Sequence, residues 1–132
     1  MSEYHEVEMD VKDKECIVDA LKDLGYQPEV HETATNLHGF QGDQRSQKAH
    51  IVLPRKQVGG ASNDIGFEKV NGKYIMRISE FDIGAKRFNQ KEFDKNYKKH
   101  TVLKKIKKNR KFKKKSVTTS KDGKIVIKLK VG

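Results

Sequence analysis

The sequence contains one cysteine, two prolines and no tryptophan, and it lacks any long hydrophobic run. A single cysteine, Cys16, cannot form an intramolecular disulfide bond, which agrees with a reducing compartment and predicts an intracellular, cytoplasmic protein. No apolar stretch approaches the length of a membrane-spanning helix, which is about 20 residues, so we expect no membrane partner. The acidic N-terminal stretch MSEYHEVEMDV does not have the basic-then-apolar pattern of a secretory signal.

Apolar residues make up 34% of the 132 residues and charged residues 36%. A chain of this length corresponds to one domain, so we expect residues 1–132 to form a single domain with a thin core and a highly charged surface. The net charge of +11 is unevenly distributed, because residues 95–132 hold 16 Lys and Arg but only one acid, Asp122. Residues 1–94 hold 17 acids and 13 basic residues. An acidic body with a strongly basic end favours a partner that is itself a polyanion.

Hydrophobic periodicity predicts the element order β-α-β-β-β-β-α-β-β, and therefore an α+β fold with a mostly antiparallel sheet. The first helix has apolar residues at i, i+3, i+4 and i+7 from Ile17, a capping residue at Asp13 and a terminating glycine at Gly25. The dipeptide Asn71-Gly72 between two alternating runs predicts a hairpin. A second helix is predicted from about Asn89 to roughly Lys108.

Three details of the body complete these expectations. The alternation around the hairpin predicts that Tyr74, Met76 and Ile78 share one face of a strand. The stretch RKQVGGASND, residues 55–64, is predicted to be a mobile polar loop. Glu80 and Asp82 are predicted to face the same side of a strand.

Five sequence blocks occur in an order that suggests a known family: ALKDLGY, GFQGDQRSQKAHIVLP, NDIGFEKVNGKYIMRISEFD, YKKHTVLKKI and DGKIVIKLKV. Together they resemble the hypothetical chloroplast open reading frame thirty-five family, an uncharacterised domain of cyanobacteria and algal plastids, over about residues 5–131. The resemblance implies no catalytic residues, and it allows a location in the plastid stroma. Members carry a Trp-rich stretch that this chain lacks, and the lysine run after HTVL is a local elaboration.

Catalytic and metal-binding patterns are weak in this sequence. The five histidines lack metal-ligand spacing, so we expect no metal and no cofactor. Cys16 is surrounded by acidic residues, which favours a packed thiol over a nucleophile. The pair Glu80 and Asp82 could serve acid–base catalysis, but a solvated strand has the same pattern. We therefore expect no enzymatic activity.

The basic C-terminal part supplies the candidate site. We expect its Lys and Arg side chains to contact phosphate groups, with RNA or a ribonucleoprotein favoured over DNA. Tyr97 and Phe112 could stack on bases, although packing in the core is the simpler role for both, and His100 and Leu103 are expected to face the core. The predicted nucleic-acid-binding residues are Lys98, Lys99, Lys104, Lys105, Lys107, Lys108, Arg110, Lys111, Lys113, Lys114, Lys115, Lys128 and Lys130.

Three other interpretations remain open, and one of them, which nothing in the sequence selects, is an enzyme whose site is assembled from scattered polar residues. The lysine run could be the solvated face of a helix in a chain from an AT-rich genome, although such a bias predicts lysines mixed with acids rather than segregated from them. The chain could also be a protein-interaction module that binds an acidic partner or accepts a strand at a sheet edge.

Overall fold

The computed structural model describes residues 3–108, 112–119 and 125–131, with side chains as far as Lys108. The elements follow in this order: β1 (Tyr4–Glu8), α1 (Lys14–Asp23), β2 (Glu29–His38), β3 (Gln44–Leu53), α2 (Arg55–Val58), β4 (Ile65–Val70), β5 (Lys73–Ser79), α3 (Glu80–Gly84), α4 (Gln90–Lys108), β6 (Phe112–Thr119) and β7 (Ile125–Val131).

The predicted α+β class is confirmed. Strands β1–β5 form an antiparallel sheet in the order β1-β5-β4-β3-β2, and β6 pairs with β7 in a separate two-stranded sheet. The two long helices are the predicted ones, while α2 and α3 are short helices that the hydrophobic pattern did not indicate. Within the described part of the chain, no helix has both the length and the apolar character needed to cross a membrane.

Local signals in the sequence correctly place α1 and the β4–β5 hairpin. The Asp13 side chain accepts a hydrogen bond from the Cys16 amide, and this bond caps the first turn of α1. Gly25 has a φ of 93° after the last turn, a conformation that glycine adopts without steric cost. Asn71 and Gly72 both have positive φ in the turn between β4 and β5, as a two-residue hairpin loop requires.

The core lies between one face of the five-stranded sheet and the helices α1 and α4. Tyr74, Met76 and Ile78 are buried on this face, as the alternation predicted. From α4, Phe93 is fully buried and stacks on Phe67 of β4, with ring centroids 5.5 Å apart. The apolar faces of both long helices therefore cover the same side of the sheet.

The other face of the sheet has a small apolar cluster of its own, and Gly66 makes it possible. A Cβ atom at Gly66 would lie 2.5 Å from the Cβ of Ala49 and 2.8 Å from Cδ2 of Leu37. Both neighbours are fully buried, so neither can move aside without shifting the strands. The close approach of β2 and β3 to β4 thus requires a residue without a side chain.

We expect Gly66→Ala to lower the free energy of unfolding by about 1–3 kcal/mol, because the added methyl group overpacks a filled cluster. Urea denaturation followed by circular dichroism measures this change. The matched control is Gly60→Ala, because a Cβ there meets no atom within 4 Å. Equal stability of the two variants would show that β2 and β3 do not pack against Gly66 in this way.

Candidate nucleic-acid interface

Helix α4 carries most of the predicted binding residues that the structure describes, and two aromatic side chains hold it on the sheet. The Asn89 side chain accepts a hydrogen bond from the Glu92 amide and caps the helix, which then runs for 19 residues. Phe93 and Tyr97 are its buried residues. The Tyr97 hydroxyl accepts hydrogen bonds from the amides of Lys12 and Asp13, so Tyr97 packs in the core and fixes α4 beside the start of α1.

Three carboxylates face α4 and pair with its basic side chains; two belong to α1 and the third to Asp13, the residue that caps α1. Lys104 Nζ lies 2.7 Å from Asp13 Oδ2 and 3.5 Å from Glu15. One oxygen of Asp23 accepts from Lys99 at 3.0 Å and lies 2.6 Å from His100 Nε2. Lys99 and Lys104, both predicted to bind phosphate, are therefore neutralised within the protein.

The pKa values of Asp13 and Asp23 agree with this pairing. Partial burial alone would raise both pKa values, because it disfavours the charged form. Hydrogen bonds from Lys104 and the Cys16 amide outweigh burial at Asp13, and those from Lys99 and His100 outweigh it at Asp23, so each pKa lies below its usual range. Both carboxylates are thus ionised at neutral pH, and the pairs with α4 are fully formed.

The other α4 lysines that were predicted to bind phosphate face the solvent. Lys98, Lys105, Lys107 and Lys108 are exposed. Burial raises the pKa of the neighbouring Asp94, and the positive charge of Lys98 offsets only part of that increase. Among the residues described, Lys105, Lys107 and Lys108 form no ion pair. The structure therefore separates the six predicted lysines of α4 into an inner pair, Lys99 and Lys104, bound to carboxylates of α1 and its cap, and an outer set of four exposed to an external anion.

The other predicted binding residues are known by backbone position only or lie outside the described residues. Arg110 and Lys111 fall outside. In the β6–β7 ladder, Lys113 is opposite Lys130, Lys114 is opposite Leu129 and Ser116 is opposite Lys128. Lys115 lies at an irregularity between Lys114 and Ser116. The ladder thus brings two lysines to one register position, where like charges are unfavourable unless a counter-charge is present.

A groove of about 320 Å³ lies between α1 and α4. Its α1 side presents the exposed carboxylates of Glu15 and Asp19. Its α4 side presents His100, Leu103 and the lysines at positions 104, 107 and 108. The sequence placed His100 and Leu103 in the core; both are half-buried and line this groove instead. Sequence reasoning missed the α1 side altogether, because nothing local shows which carboxylates lie opposite which lysines.

Cys16 lies at the base of the groove and is 2% exposed. Burial, together with the nearby charge of Asp13, raises the pKa of its thiol to about 11. The side chain is therefore a neutral thiol at physiological pH and behaves as a small apolar group.

A second polar cluster is buried beneath α3. Asp82 is fully buried, and its Oδ2 accepts hydrogen bonds from the Asn63 amide, the Asn63 side chain and the Ser79 hydroxyl. The prediction that Glu80 and Asp82 share one side of a strand is wrong, because both belong to α3 and Glu80 is exposed. The exposed residues of α3 include Phe81 and Ile83, so this short helix buries one of its two acids and leaves its apolar side chains outside.

The same cluster contradicts the expected mobile loop at residues 55–64. The first four of these residues form α2, and Ser62, Asn63 and Asp64 are all buried. The Asp64 carboxylate accepts hydrogen bonds from the amides of His38 and Arg55. A polar, glycine-rich composition suggested solvent exposure, but the side chains of Asn63 and Asp64 have hydrogen-bond partners inside the protein.

The described residues contain no cluster of three or more His, Cys, Asp or Glu side chains that could hold a metal ion.

The fold and this interface define an α+β protein with a helix-covered antiparallel sheet and a lysine-rich helix on its surface. Residues 20–127 match the model of DUF1257, a protein family of unknown function, and the chain belongs to this family. This match confirms the prediction of an uncharacterised domain family. The likeness to the chloroplast open reading frame family remains a resemblance. Searches of curated proteins and of solved structures give no match.

Proposed function

We propose that the protein binds RNA without catalysing a reaction, through a basic surface formed by Lys98, Lys105, Lys107 and Lys108 of α4 together with the β6–β7 hairpin. The observation that supports this proposal is the division of the α4 lysines. Carboxylates of α1 neutralise Lys99 and Lys104, whereas Lys105, Lys107 and Lys108 have no described partner and are exposed. A surface with unpaired positive charge beside a lysine-rich hairpin suits the phosphate backbone.

The helical spacing extends this surface along α4. Lys98 and Lys105 are seven residues apart, so they lie on the same side of the helix and about 10 Å apart along its axis. Contacts of this kind go to phosphates, which position a nucleic acid without reading its sequence. Binding then gains free energy from released counterions and must weaken as salt rises.

The test is the affinity for a single-stranded RNA oligonucleotide, measured by fluorescence anisotropy across salt concentrations. If about six phosphates are contacted, log K should fall against log salt with a slope near −4 to −5. At about 0.1 M salt, we expect the triple variant Lys105→Gln/Lys107→Gln/Lys108→Gln to bind about 10- to 100-fold more weakly and to lose about 2 from the slope.

The matched control removes the same charge elsewhere, by Lys14→Gln/Lys56→Gln/Lys69→Gln, at exposed lysines of α1, α2 and β4. These changes should alter affinity less than about 3-fold, since long-range charge effects are screened by salt. A salt-independent affinity, or equal losses in the two triple variants, would overturn the proposal.

The alternative function is a protein-interaction module, and two observations favour it. Strands β1 and β2 are the edge strands of the five-stranded sheet, where a partner strand could add. Phe81 and Ile83 of α3 are 42% and 47% exposed. Affinity capture with and without nuclease separates the two functions, because partners that survive nuclease treatment favour protein docking.

A further inference from the structure

The groove between α1 and α4 has sides of opposite charge. Lys104, Lys107 and Lys108 stand on one side, and Glu15 and Asp19 stand on the other. Lys104 is already paired with Asp13 and with one oxygen of Glu15, so Lys107 and Lys108 are the cations available to a ligand here. Such a groove suits a molecule that carries an anion at one end and hydrogen-bond donors at the other.

The base of the groove can accept a flat apolar surface. Leu103 and the neutral Cys16 thiol supply apolar contacts. The His100 ring beside them is held at Nε2 by Asp23, 2.6 Å away, so its orientation is set before any ligand arrives. Imidazole rings stack on unpaired bases in RNA complexes. A volume of about 320 Å³ is at the lower end of the range for small-molecule sites, which suits one base rather than several.

We propose that this groove binds one unpaired nucleotide of RNA and prefers a base with an exocyclic amino group. The inference depends on the RNA binding proposed above and adds base selectivity to it. Lys107 and Lys108 contact the phosphate, while the base lies against Leu103 and His100. An ionised carboxylate can accept hydrogen bonds but cannot donate them, so Glu15 and Asp19 accept from the amino group of cytosine, adenine or guanine. Uracil has a carbonyl oxygen at the position where cytosine has its amino group, and that oxygen would face a carboxylate.

The experiment compares oligocytidylate with oligouridylate of equal length, because the two bases have the same size. We expect the wild-type protein to bind the cytosine oligonucleotide about 5- to 50-fold more tightly, the range for a base-edge contact. In Glu15→Gln/Asp19→Asn this ratio should fall to about 1, because amides can donate to uracil as well as accept from cytosine. The ratio is measured on one protein sample, so a loss of folded protein does not change it.

The matched control is Glu8→Gln/Glu32→Gln, which removes two exposed carboxylates on the sheet and should leave the ratio unchanged. Equal wild-type binding of both oligonucleotides with a steep salt dependence would overturn the base-selective groove and leave RNA binding intact. A wild-type preference that survives Glu15→Gln/Asp19→Asn would also overturn it. Absence of binding to either oligonucleotide would overturn both proposals.

Discussion

Replacing Asp82 with alanine is expected to lower the free energy of unfolding by about 3–5 kcal/mol. Oδ2 of Asp82 is the acceptor for the amide of Asn63 and the hydroxyl of Ser79, and also for one N–H of the Asn63 side chain. Alanine leaves these buried donors without their acceptor, and each unsatisfied donor costs about 1–3 kcal/mol. The Asn63 side chain keeps its bond to Ser79 Oγ, which limits the loss. Urea denaturation at neutral pH measures the change.

Two further variants separate the lost acceptor from other effects at Asp82. Asp82→Asn keeps one oxygen acceptor and removes the charge, so it should lose less than half as much stability as the alanine variant. Glu80→Ala changes an exposed acid on the same short helix and should stay within about 0.5 kcal/mol of wild type. An alanine variant at position 82 that is as stable as Glu80→Ala would show that this network does not hold α3 in place.

The elements that the sequence predicted correctly are determined by residues close to each other in the chain. The cap at Asp13, the left-handed Gly25 and the Asn71-Gly72 turn each act within about four residues, so the local sequence is enough to identify them. The buried face of β5 follows equally well, because alternation has a period of two. These signals predict the class of the fold and most of its order.

The errors concern residues whose partners are distant in sequence. Asp82 is buried because Asn63, 19 positions earlier, donates two hydrogen bonds to it. No local sequence pattern indicates that contact. Lys104 is likewise not free for phosphate because it is paired with Asp13, 91 positions earlier in the chain. The sequence correctly indicated a surplus of positive charge, but only the packing of α4 on α1 shows which lysines remain unpaired.

The second large effect is expected at Phe93, which joins the lysine-rich helix to the sheet. Phe93 is fully buried, and its ring stacks on Phe67 and Tyr97 at 5.5 and 6.2 Å between centroids. Phe93→Ala removes these contacts and leaves a cavity, which costs about 3–5 kcal/mol. Domains of this size have only about 5–15 kcal/mol of stability, so thermal unfolding should shift down by well over 10 °C. Phe81→Ala, the same change at a 42% exposed site, should shift it by less than about 3 °C.

Loss of Phe93 should also separate the two proposed modes of RNA contact. At a temperature where Phe93→Ala remains folded, α4 is held less firmly against α1, and the groove between them loses its fixed shape. The outer lysines keep their charge whether or not the helix is firmly packed. We therefore expect the salt dependence of RNA binding to persist in Phe93→Ala while the preference for cytosine over uracil declines toward 1. If both properties survive unchanged, base selectivity does not arise from the packing of α4 on α1.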